Sequence, residues 1–102
     1  MDLQLVIGRI ENEWTEPNGF FFKLRKGEFD AASLERVIDA LGAIQIGDAA
    51  YIHRRLVSLL WYMPVFMEWQ IERVKEREGD TESLNKSIVH IRNQLEIILG
   101  VP

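Results

Sequence analysis

Apolar residues return at gaps of three and four through most of this chain, the period of a helix with one buried side. Leu3, Val6, Ile7, Ile10 and Trp14 form the first such stripe and predict a helix over 3–14, with Asp2 as its N-cap. A strand reading through Leu3, Leu5 and Ile7 breaks at Arg9. Thr15-Glu16-Pro17-Asn18-Gly19 then ends the element, because Pro17 disfavours helical backbone at Glu16 and Asn18-Gly19 is a turn dipeptide. Asp30 is placed to cap a second helix over 30–41. Its stripe is Leu34, Val37, Ile38 and Leu41, with Glu35, Arg36 and Asp39 facing water and Gly42 at the end.

From Gly47-Asp48 to Gly79 the pattern is helical throughout. One straight helix of that length would run about 46 Å, against a radius of gyration of about 13 Å for a domain of this size. Pro64 removes a backbone donor and crowds the preceding turn, which predicts helices over 49–62 and 64–78 with a kink or break between them. The first is apolar on most sides and is expected at the centre. The second passes from Val65, Phe66 and Trp69 into the solvated run Glu72-Arg73-Val74-Lys75-Glu76-Arg77-Glu78. Gly79-Asp80 reads as a break followed by a cap. Leu84, Ile88, Ile91, Leu95 and Ile98 then step by four, three, four and three along a last helix over 81–99, closed by Gly100. The expectation is an all-α fold, a compact bundle of about five helices in a single domain over 1–102, with a connector at 15–29.

Within that connector lies Gly19-Phe20-Phe21-Phe22-Lys23-Leu24-Arg25-Lys26-Gly27. Its alternation suggests a strand, but a chain that is otherwise helical offers no strand to pair with it. A short helical turn or irregular connector fits better. Phe20 and Leu24, four apart, then point into the core, while Phe21 and Arg25 share a line that reaches toward the surface.

Composition narrows the function classes. The net charge is −4, and a field of that sign repels phosphate, which argues against a nucleic-acid partner. Lys23, Arg25, Lys26, Arg54 and Arg55 are the residues that would make a local basic patch. With no cysteine, the chain has no disulfide, no thiolate metal site and no thiol nucleophile, and a cytoplasmic location suits it. The N-terminal stretch lacks the pattern of a signal peptide. The longest apolar run, Leu56 to Met67, is too short to span a bilayer.

Candidate chemistry is sparse. His53 has no carboxylate or second histidine four residues away, so the paired-histidine zinc geometry is absent. Beside Arg54 and Arg55 it is the one arrangement that would serve a small enzyme or a nucleic-acid binder. His90 shares a surface line with Lys86 and Gln94. Glu68, Glu72 and Glu76 form a ladder of like charges at i,i+4 spacing, to be relieved by Arg73 and Arg77 or by a partner. Phosphate-loop, dinucleotide and nucleophile-elbow motifs do not occur, and no cofactor is implied.

The expected function is therefore a small, acidic, non-enzymatic protein-binding module. Immunity proteins that occlude a basic toxin or nuclease share this size, charge and lack of catalytic motifs. The contact residues of that reading are Glu11, Glu13, Glu16 and Glu28, with Trp14 or Phe21 as the anchor and Arg25 at the margin. The alternative is a homodimer that self-associates through Trp61, Tyr62, Met63, Phe66, Met67 and Trp69.

Overall fold

Side chains just ahead of the four long helices open them. The computed structural model describes residues 2–102. The Asp2 carboxylate accepts the Leu5 amide at 3.2 Å and starts α1 (Leu3–Thr15). A single helical turn, α2 (Phe20–Arg25), occupies the connector. Asp30 accepts the Ser33 amide at 3.2 Å and starts α3 (Ala31–Gly42). The His53 Nδ1 accepts the Arg55 amide at 3.1 Å and starts α4 (Arg54–Trp69), which continues after Gln70 as α5 (Ile71–Glu76). Asp80 accepts the Ser83 amide at 2.9 Å and starts α6 (Thr81–Leu99). No strand occurs among the described residues. With α4 and α5 counted as one element bent at Gln70, the described residues form an all-α bundle of five helices.

Two boundaries differ from the sequence expectation. The third long helix begins at Arg54 instead of residue 49. Ala49, Ala50 and Tyr51 are exposed, with Tyr51 at 92 %. They have no core to face, and a short helical segment without burial is not stable in water. The helix starts where its buried stripe starts, just ahead of Leu56. The break expected at Pro64 falls instead at Gln70. Pro64 is buried inside α4, where its missing amide forfeits one helical bond while the packing of Leu60, Met63 and Met67 holds the rod together. At Gln70 the amide turns to Met67 at 3.1 Å, a tighter three-residue closure, and α5 then packs against α6.

The core is one cluster. Phe20, Phe21, Leu24, Leu56, Leu60, Met63, Met67, Leu84 and Ile91 are fully enclosed within it. α4 and α6 form the most extensive pair, and α1 joins α2, α3 and α4. Glu68 meets Arg92, and Trp61 shares a groove with Leu99, the register of an antiparallel hairpin turning near residue 80. The molecule measures 43 × 29 × 19 Å with a radius of gyration of 13.6 Å. Among the described residues no helix is long and apolar enough to cross a membrane.

Two glycines let α2 dock. A Cβ on Gly19 would lie 2.4 Å from the Glu13 carbonyl oxygen, so only glycine permits the entry to α2 to pass this close to α1. Gly27 takes φ +86° and tucks beneath Arg73 and Arg77, whose guanidinium Nη1 atoms donate to the carbonyls of Arg25 and, at 3.0 Å, Lys26.

Candidate functional site

The acidic residues near the end of α1 do not form one contact surface. Glu13 is buried at 7 % exposure. Its Oε1 accepts the Phe20 amide at 3.0 Å, satisfying an orphan donor at the start of α2. Its two oxygens also accept Arg36 Nε and Nη2, at 3.0 and 3.2 Å. Arg36 Nη2 donates further to the Asn18 carbonyl at 2.7 Å. The hydrogen bonds from the Glu13 carboxylate raise the Arg36 pKa above its ordinary value. Glu13, expected as a partner contact, is thus an internal tie between α1, α2 and α3. Glu16 is exposed, on a polar cleft of about 460 Å³ that also holds Arg9 and Arg36, so positive groups balance the acid there.

Phe21 corrects the second expectation. It has no exposed surface and stacks on Trp14, with ring centroids 4.1 Å apart and planes 13° apart. The aromatic line continues edge-on to Phe20 at 5.0 Å and Phe66 at 6.2 Å. A side chain so enclosed cannot anchor a partner. Phe20 and Phe21 form a lid on the core, and the Arg25 guanidinium carbon lies over the Phe66 ring at 5.5 Å.

Glu11, Trp14, Arg25 and Arg55 do come together. With Thr15, Ser58, Leu59 and Tyr62 they line a cleft of about 280 Å³. Arg55 donates through Nε and Nη2 to the Glu11 Oε2, at 3.0 and 2.7 Å. Glu11 and Arg55 therefore neutralise each other within the cleft. The Trp14 indole nitrogen is enclosed and has no hydrogen-bond acceptor among the described residues. Glu28 stands apart, 3.9 Å from Lys23, which is chiefly held by Asp30 at 3.0 Å.

The basic patch does not assemble. Lys23 is tied to Asp30, Lys26 lies over the Phe22 ring at 4.8 Å, and Arg55 is tied to Glu11. His53 is exposed and its Nδ1 is occupied as an N-cap, so only Nε2 is free. No group of three or more His, Asp or Glu among the described residues is disposed to hold a metal ion.

What stands out instead is α4. A helix with large apolar residues on both sides is normally enclosed, yet α4 is covered on one side only. Leu56, Leu60, Met63 and Met67 face the core. Arg54, Ser58, Trp61, Val65 and Trp69 fall within about 80° of one another at 100° per residue, on the opposite side. Trp61 is 53 % exposed and Trp69 64 %. Tyr62, half-buried, bridges them, edge-on to Trp61 at 5.5 Å and to Trp69 at 5.8 Å, and reaches Trp14 at 5.9 Å. The aromatic segment named from the sequence thus divides: Met63, Phe66 and Met67 are core, and Trp61, Tyr62 and Trp69 are surface, with Val65 between them. The spacing 61, 65, 69 was visible in the sequence as one helical line. That it faces outward was not, because the opposite line is equally apolar.

Compared with family models, with curated proteins and with solved structures, the chain matches none.

Proposed function

We propose that the protein is a non-enzymatic protein-binding module whose contact surface is the outer face of α4. The observation that carries this reading is the outer line Trp61–Val65–Trp69, two exposed tryptophans either side of a half-buried valine on the side of α4 turned away from the core. Two half-exposed tryptophans in water leave a large apolar area unburied, and tryptophan is among the residues that contribute most to protein contacts. Tyr62 holds both rings from beneath, so the surface is preformed and little side-chain freedom is lost on binding. The N-terminal acidic residues carry the reading less well, because Glu13 and Phe21 are consumed inside the fold and Glu11 is paired.

The test is site-specific photocrosslinking in the cell that makes the protein. A photoreactive residue at position 69 should form a covalent adduct with a protein. The same residue at position 35, on the polar outer side of α3, should not. Absence of any protein adduct at 69, or equal adducts at both positions, overturns the reading.

A further inference from the structure

Building on that reading of α4, we infer that its outer face binds a second copy of this chain, antiparallel, about a two-fold axis through Val65. The apolar part of the face is symmetric about that residue. Trp61 and Trp69 stand four positions on either side of it, so an antiparallel pair places Trp61 of each copy against Trp69 of the other.

The charges are arranged in the opposite sense. Arg54, at the N-terminal end of the face, is exposed and free of an ion-pair partner among the described residues. Glu72 and Glu76, at the other end, are exposed and equally free. The arginines expected to relieve them, Arg73 and Arg77, are turned away onto the carbonyls of Arg25 and Lys26. Positions equidistant from Val65 face each other in such a pair, so Arg54 meets Glu76 of the second copy and Ser58 meets Glu72. Parallel pairing would set like ends together. An apolar pattern symmetric about the axis combined with a charge pattern that reverses across it is what self-recognition requires.

The geometry allows these contacts. Arg54 and Glu76 are each eleven residues from Val65, about 16 Å of helical rise; Glu76 lies across the bend at Gln70, beyond which Val74 stays buried and Glu72 and Glu76 stay exposed, so the outer face carries on through it. At the shallow crossing of about 20° common in bundles the two helices remain within reach of a long side chain at that distance. The contact is modest: a strip of 23 residues is about 34 Å long and, at a helix width of about 10 Å, offers about 340 Å² per copy, against about 800 Å² in a stable complex. The dimer is accordingly a weak, reversible one.

Sedimentation equilibrium of the full chain over a micromolar-to-millimolar series tests this. The wild type should pass from monomer to dimer. Arg54→Glu and Glu76→Arg, both at exposed positions, should each weaken dimerisation about three- to tenfold, since each removes two symmetry-related ion pairs. Combining them should restore it. Trp69→Glu, also exposed, should abolish it while circular dichroism stays unchanged. A wild type that remains monomeric at millimolar concentration overturns the proposal, as does a double exchange that fails to recover what the single exchanges lost. In either case a crosslink from position 69 to a different protein leaves the α4 contact surface standing and assigns it another partner, whereas no crosslink at all removes both.

Discussion

The junction of α1, α2 and α3 and the outer face of α4 dispose of their side chains in opposite ways. At the junction nearly every strong group is answered from within: Glu13 by the Phe20 amide and Arg36, Lys23 by Asp30, Phe21 by Trp14. On α4 the large apolar groups Trp61 and Trp69 meet one another's neighbour and then water. A region rich in charge and aromatics is not thereby a binding region. Capacity to bind resides where interactions remain unmade, and here that is the apolar side of a helix.

Four variants probe this contrast, in order of effect. Phe21→Ala should cost about 3–5 kcal/mol in urea unfolding, because it empties a fully enclosed site against Trp14. A loss below about 1 kcal/mol would show that Phe21 is not core. Glu13→Ala should cost about 2 kcal/mol, since it strands the first α2 amide and leaves Arg36, which is half exposed, to water. Amide hydrogen exchange should rise first at Phe20 and Phe21.

Asp30→Ala should cost about 1 kcal/mol at pH 7 through loss of the α3 cap. The Lys23 ammonium, with Ser33, holds the Asp30 carboxyl below the usual carboxylate range. A depressed pKa contributes stability above the unfolded value of about 3.9 and loses it as the pH falls through the lower folded value. The gap between wild type and Asp30→Ala should therefore begin to close below about pH 4, and a constant gap down to pH 2 would refute the coupling. Smallest is the paired change Trp61→Ser with Trp69→Ser, expected within about 0.5 kcal/mol of the wild type for the dilute monomer. A large loss would place those rings in the core and dissolve the comparison.

Much of the architecture was legible from residue spacing. The stripes of α1, α3 and α6 and the caps at Asp2, Asp30 and Asp80 are local: an amide three residues on and an apolar side every three or four positions need no knowledge of the rest of the chain. The helical turn at Phe20 followed from the absence of any strand to pair with it. The start of α4 was misplaced because residues 49–51 have helical composition but nothing to bury against, and the bend fell at Gln70 because burial of Pro64 outweighed one missing hydrogen bond.

By itself, then, the amino-acid order determined the all-helical class, the stripes of α1, α3 and α6 with their caps at Asp2, Asp30 and Asp80, and the absence of the common catalytic motifs, all of which depend on neighbours a few positions apart. Only tertiary structure decided which face of a doubly apolar helix would meet the core, whether Phe21 would be lid or anchor, and that Glu13 would be spent on Arg36. Those outcomes depend on side chains in other elements, seven positions away for Trp14 on Phe21, 23 for Arg36 on Glu13 and 45 for Phe66 on Phe21. Helical periodicity says that two sides exist, and packing alone selects the one that is covered.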